Sequence, residues 1–204
     1  TSIKINPSNG EIFVSAYVLS SMGYKWIVLK RTTQSTSLFS IVDDYQFTTS
    51  KEAKAQSLTL DEAYNVFVAG YAKDEKDLEH FIVRGSTDGG LSWNTYENFT
   101  GSMNNGARAE VLIAKGQGDL FVAGTSNNDL SGNQKIWIIR RIGVFSQEAK
   151  TIDERLTTSA GASTYKYLPK ALCFSQDGGF IAGGSIEDNM SNYKVSILRK
   201  GYKQ

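Results

Sequence analysis

The chain has one cysteine, Cys173, and one histidine, His80, among its 204 residues. A single thiol rules out an internal disulfide framework, and one imidazole with one thiol gives no cluster of soft ligands for a transition metal. Cys173 sits in the apolar run Ala171-Leu172-Cys173-Phe174, where a small buried thiol is expected. There are only two prolines, and no apolar run approaches the length of a membrane-crossing helix. Neither sign of charge dominates: 22 Lys and Arg stand against 21 Asp and Glu, a net charge of +1. A nucleic-acid binder normally carries a basic surplus or stripe, and none is present. No cofactor motif and no calcium loop is legible. Asp74, Asp77 and Glu79, and separately Glu187-Asp188-Asn189, offer oxygen ligands without the spacing and glycine such a loop needs. They read as solvated acidic loops.

What is plentiful is glycine (19), tyrosine (10) and phenylalanine (10), a composition suited to many short strands and tight turns. One word recurs. Phe67-Val68-Ala69-Gly70 reappears as Phe13-Val14-Ser15-Ala16, Phe121-Val122-Ala123-Gly124 and Phe180-Ile181-Ala182-Gly183, with the phenylalanines spaced 54, 54 and 59 residues apart. A fixed period of this size marks a repeat architecture. Each repeat opens with a short apolar strand: Ile3–Ile5, Leu58–Leu60, Val111–Ile113 and Ala171–Phe174. A turn leads into the anchor word as second strand, and a polar loop leads to a third: Trp26–Leu29, Phe81–Val83, Ile136–Ile139 and Val195–Leu198. A fourth strand is expected at 38–42 and 92–96, is weaker around Val144-Phe145-Ser146, and is missing from the last repeat. The second and third strands are almost continuously apolar, so both faces of each sheet should be covered. The expectation is therefore an all-β fold: a β-propeller-type repeat of four units of roughly 54 residues, in antiparallel strands, the last incomplete. The units run approximately 3–56, 57–110, 111–170 and 171–204 of a single repeat domain. Residues 51–56 have helical composition but fall between units, where irregular chain is expected.

The sharpest motif is Ser86-x-Asp88-x-Gly90-x-Ser92-Trp93, the hairpin between third and fourth strands of the second unit. Gly90 admits a backbone angle closed to other residues, the Asp88 carboxylate can accept bonds from turn amides, and Trp93 should plug the sheet. The motif resembles the Asp-box of sialidase-type propellers. With its surroundings it resembles the Asp-box (BNR-like) repeats of large exported bacterial surface proteins. In those families the box lies opposite the active site, which implies a scaffold role here for Ser86, Asp88, Gly90, Ser92 and Trp93. The first unit keeps a worn copy, with Thr32, Gln34, Thr36 and Phe39 under Ser86, Asp88, Gly90 and Trp93.

A sialidase would need six blades, an arginine triad for one carboxylate, a Tyr-Glu nucleophile pair and an Asp acid. Arg84, Arg140 and Arg199 fall at equivalent places, which repetition alone produces, so no catalytic residue is assigned and no enzyme activity is expected. The loops joining second and third strands share a rim with the segments linking units. The loops carry Tyr24, His80, Asn127, Asn128, Asp129, Asn133, Asp188, Asn189 and Tyr193; the linking segments carry Arg108, Glu110, Tyr165 and Tyr167. Aromatic rings among amides and carboxylates suit a glycan or protein surface. The reading is a non-catalytic recognition or adhesion module of an exported bacterial protein, binding a glycan or a cell-surface protein. A sialidase-like hydrolase fragment and a structural or assembly repeat are the alternatives. No cofactor, nucleic-acid or membrane-insertion role is expected. Because the last unit lacks a strand, a homo-oligomer or a longer parent chain is expected to cover the open edge.

Overall fold

The computed structural model describes the backbone of residues 2–33, 38–127, 135–155, 165–188 and 194–201, and the side chains of 2–33, 38–127, 135–153 and 168–185. It is all-β, four antiparallel sheets in chain order. The first holds β1 (Ser2–Ile5), β2 (Ile12–Ser20), β3 (Gly23–Arg31) and β4 (Ser40–Tyr45). The second holds β5 (Ala53–Leu60), β6 (Val66–Lys73), β7 (Glu79–Ser86) and β8 (Asn94–Phe99). The third holds β9 (Ala107–Lys115), β10 (Asp119–Asn127), β11 (Lys135–Gly143) and β12 (Glu148–Arg155). The fourth has three strands, β13 (Tyr165–Phe174), β14 (Phe180–Asp188) and β15 (Lys194–Gly201). Each sheet packs on the next: β2 and β3 against β5, β6 and β7 against β9, β10 and β11 against β13. Among the described residues the first and fourth sheets form no such interface, and no closed ring is seen.

Residues 53–56 are strand, not irregular chain. β5 starts upstream of the apolar run and passes through a bulge, because Ala55 pairs with Gly70 and Ser57 with Ala69, leaving Gln56 extra. Glu110 and Lys170 are the extra residues at the same place in β9 and β13. This bulge explains the glycine of the anchor word. A Cβ on Gly70, Gly124 or Gly184 would land on the carbonyl oxygen of Lys54, Arg108 or Leu168, which the bulged strand pushes against it. The register also moves the fourth repeat by one residue. Gly184, not Gly183, is the counterpart of Gly70 in the fourth sheet, so Ile181 rather than Phe180 takes the place of Phe67. The last fourth strand likewise differs from expectation: residues 144–147 form the turn, and the strand is β12.

A second bulge lies in each fourth strand. Val42 is extra in β4, Tyr96 in β8 and Ile152 in β12. Without it, side chains would alternate strictly between faces. With it, Val42, Asp43 and Tyr45 all serve the face toward the second sheet, as Tyr96, Glu97 and Phe99 serve the face toward the third.

Burial follows the stacking. β6 and β7 are buried on both faces, as are most of β10 and β11, and large side chains such as Phe67, Phe81, Trp26 and Trp137 are inaccessible. Each seam between sheets carries its own apolar cluster. The first sheet departs from the expected double coverage. Phe13, Trp26 and Val28 face the second sheet, while Ile3, Val14, Leu29 and Ile41 form a row across four strands on the other face, with Ile3 60% and Ile41 59% exposed. Cys173 is also exposed rather than buried. It alternates with the buried Leu172, which points toward the third sheet.

Candidate functional site

The hairpin turns between first and second strands, and between third and fourth, lie at one end of the sheets. The strand ends leading to the other loops and to the next sheet lie at the opposite end. At the hairpin end the Asp-box is self-contained. Ser86 donates to Asp88 Oδ1 at 2.7 Å, Gly90 N donates to Ser86 Oγ at 2.7 Å, and Asp88 Oδ1 accepts from the amides of Leu91 and Ser92 at 3.0 and 2.9 Å. Ser92 Oγ donates to Asp88 Oδ2 at 2.5 Å. Hydrogen bonds from the Ser92 hydroxyl and amide and from Ser86 hold the Asp88 carboxyl far below the usual carboxylate range. Gly89 and Gly90 have φ of 73° and 93°. Every acceptor of Asp88 is thus turned inward onto the turn. Trp93 is half-buried against the cluster between first and second sheets, so it is less of a plug than the motif implies.

At the other end, the first three strands of neighbouring sheets bring charges and rings into one continuous chain. Tyr17 and Tyr24 meet edge-on, centroids 5.6 Å apart, at the hairpin of β2 and β3. Lys54, on the bulged stretch of β5, lays its ammonium 4.1 Å from the Tyr24 ring centroid and 5.1 Å from that of Tyr17. Lys54 also pairs with Glu52 at 2.5 Å, and Lys73 approaches the same carboxylate at 3.6 Å. Tyr71 donates its hydroxyl to Glu52 at 2.7 Å. Burial pushes the Glu52 carboxyl up, but hydrogen bonds from Lys54 and Tyr71 outweigh it and the net shift is down. Arg108 then stacks 4.0 Å over the Tyr71 ring and forks onto Glu79, with Lys135 4.0 Å from the same carboxylate. Glu110, the bulge residue of β9, lies in the fields of Lys170, Arg108 and Lys135, yet burial dominates and raises its pKa.

Tyr71 beside Glu52 has the composition of a glycosidase nucleophile pair, but its ring is 2% exposed. Burial, and donation to Glu52, push the phenol well above its ordinary value. This is the opposite of an activated nucleophile.

Of the expected rim residues, the structure gathers Tyr24, Arg108 and Glu110 into this chain. His80 is buried instead of standing on a loop edge. Its ring packs on Phe47 with centroids 4.5 Å apart, its Nδ1 is 2.6 Å from Asn98 Oδ1, and its Nε2 is 3.5 Å from Asp74. It clamps the segment leaving β4, while its neighbour Glu79 goes to Arg108. Asn127 Nδ2 donates to the Asn105 carbonyl at 2.6 Å, tying the β10 end to the loop before β9. Tyr165 pairs with Asp188 across β13 and β14, and Tyr167 lies two residues along; the side chains of these three are outside the described residues, as are Asn128, Asp129, Asn133, Asn189 and Tyr193 altogether. Asp74 accepts from the amides of Lys76 and Leu78, Asp77 pairs with Lys51 and Glu79 with Arg108, so these carboxylates turn to separate partners.

Sequence reasoning missed Tyr17, Lys54 and Glu52: Tyr17 follows the anchor word where the sequence predicts a polar loop but β2 runs on, and Glu52 and Lys54 fall in 51–56, where it predicts irregular chain. It also missed the partners of the equivalent arginines. Arg84 of the second sheet pairs with Asp43 of the first, and Arg140 of the third with Glu97 of the second. Asp153 and Arg199 hold the same register places in the third and fourth. The signal was present, since Asp43 and Glu97 fall at matching places when the first and second units are aligned.

No protein-family model matches the chain, and no curated protein matches it. Solved structures do. A protein of unknown function from Dyadobacter fermentans aligns with a TM-score of 0.62 at 12% identity, over 98% of this chain and 67% of that one. A xylan β-1,4-xylosidase from Bacillus halodurans aligns at 0.54 and 12% identity, over 97% of this chain. A fructan 1-exohydrolase from Cichorium intybus aligns at 0.51 and 9% identity, over 95% of this chain. The chain spans 40% of the length of each of these two enzymes. At such identities the likeness concerns the fold alone, an all-β assembly of stacked antiparallel sheets like those of propeller-type proteins.

Proposed function

We propose that this chain is a non-catalytic recognition module of an exported bacterial surface protein, its four sheets being consecutive blades of a β-propeller. Its ligand is a glycan or a cell-surface protein held at the rim built around Tyr17, Tyr24 and Lys54. The observation that carries this reading is the state of the rim: the exposed Tyr17 ring and the half-buried Tyr24 ring with an ammonium beside them, backed by carboxylates already committed to cations. Rings with polar tips provide flat apolar area for sugar faces or side chains at little entropic cost. Glu52 and Glu79 are each engaged by two cations, which leaves neither poised for proton transfer. Carbohydrate as the ligand draws some support from the names of the xylosidase and the fructan exohydrolase, through fold likeness only. Glycan-array and cell-binding assays test the proposal. Binding without hydrolysis, lost in Tyr24→Ala at unchanged melting temperature, is the expected result; rim variants that all bind like the parent would overturn it.

A second reading, a hydrolase fragment, has one observation in its favour. Among the described residues, burial raises the pKa of the Glu110 carboxyl, the direction a general acid requires. Turnover of aryl glycosides that disappears in Glu110→Gln would establish that reading in place of the first.

A further inference from the structure

At the hairpin-turn end, opposite the rim, a cavity of about 280 Å³ opens between the third and fourth sheets. We infer that it is a binding site for a small organic anion, a carboxylate carried on a flat apolar body. Phe121, Phe180 and Ile152 supply apolar walls, and Lys115, Arg141 and Lys150 supply positive charge. Among the described residues the one acid lining it, Asp119, is neutralised by Arg141, whose Nε and Nη2 donate to it at 2.7 and 2.9 Å. Among the described residues Lys115 and Lys150 form no ion pair; the Lys115 ammonium instead sits 5.5 Å from the Phe174 ring centroid.

The preceding seam shows what such a place normally holds. Val68 pairs with Leu58 and Val122 with Leu112, so Asp61 and Glu62 of the second sheet correspond to Lys115 and Gly116 of the third. Asp61 Oδ2 accepts from Gly118 N at 2.9 Å, and Glu62 Oε1 accepts from Gly116 N at 3.1 Å. Glu62 N donates to the Gly116 carbonyl at 3.0 Å. Two protein carboxylates therefore sew the second and third sheets together at this level. Between the third and fourth sheets the same two places carry an ammonium and a glycine, and the seam stays open. A Cβ at Gly116 or Gly178 would meet no neighbour, so the turns leave the mouth clear. A ligand carboxylate between Lys115 and Lys150 would replace the missing protein carboxylate, with its body against Phe121 and Phe180. A cavity of this size takes a single ring or a short branched chain. Charge-assisted contacts inside a partly apolar cleft are stronger than on open surface.

The test is an amide NMR titration of the full chain with phenylacetate, and with 2-phenylethanol as the neutral counterpart. Saturable shifts of the Gly116, Gly178 and Gly179 amides with phenylacetate, weakened by added salt, are expected. Lys115→Gln should weaken binding about tenfold, the worth of one charge-assisted contact. Lys115→Asp places here the residue that the preceding seam already accommodates, so it should stay folded and lose the shifts entirely. No saturable shift, equal shifts from the neutral alcohol, or undiminished binding in folded Lys115→Asp would each overturn the assignment.

Discussion

Arg84 forks onto the carboxylate of Asp43, forty-one residues earlier, with Nε at 2.9 Å and Nη2 at 2.7 Å. Its guanidinium lies 4.3 Å over the Tyr45 ring, and its third nitrogen donates to Thr95 of its own sheet at 2.9 Å. Arg140 repeats the arrangement with Glu97, Phe99 and Thr151. These pairs join neighbouring sheets and spend each arginine on its own acid. They are the opposite of a triad converging on one substrate carboxylate.

Removing one partner of such a pair leaves a buried charge without compensation. Asp43→Ala is expected to cost about 3 kcal/mol, and Asp43→Ala with Arg84→Met to recover much of that loss. Denaturant unfolding of the two single variants and the double variant measures the coupling. Strict additivity would show that the pair does not hold the sheets together.

Gly70→Ala should destabilise by about 3 kcal/mol, because the new Cβ collides with the Lys54 backbone carbonyl and with the buried Trp26 ring, neither of which can swing aside. Gly183→Ala, one residue before the tight place in the fourth sheet, should cost less than Gly184→Ala. Equal losses at 183 and 184 would contradict the one-residue register shift.

In the Asp-box, Trp93→Ala should lower stability by about 2–3 kcal/mol, less than a fully buried tryptophan would. The Asp88 carboxyl is depressed in the folded state, so its contribution is present above its unfolded pKa and is lost as pH falls through the lower folded value. Exchange protection of the Gly90, Leu91 and Ser92 amides should therefore decline only below the ordinary carboxylate range, and Asp88→Asn should remove that pH dependence. Protection that titrates at the ordinary aspartate pKa would exclude the hydrogen-bonded geometry.

The row Ile3, Val14, Leu29, Ile41, half-buried in the middle and exposed at Ile3 and Ile41, should drive self-association of the isolated chain. Light scattering is expected to report a mass above the monomer, and Ile3→Asp with Ile41→Asp to reduce it. A parent chain that stays monomeric at high concentration would refute the expectation.

Much of this architecture was legible in residue order. The period, the two-sided apolar strands of the middle units, and the hairpin chemistry of Asp88 and Gly90 all follow from local rules, because turns, alternation and apolar runs act over a few residues. Tertiary structure decided what depends on register. A bulge changes which face a side chain serves without changing composition, so the place of Gly184 and the gathering of Tyr24, Lys54, Glu52 and Arg108 at one rim could not be read from spacing. The matching places of Asp43 and Glu97 became arginine partners only once the bulges had set their face. Burial of His80 and exposure of Cys173 have the same origin: each depends on which sheet, if any, packs over it, and that is a property of neighbours dozens of residues away.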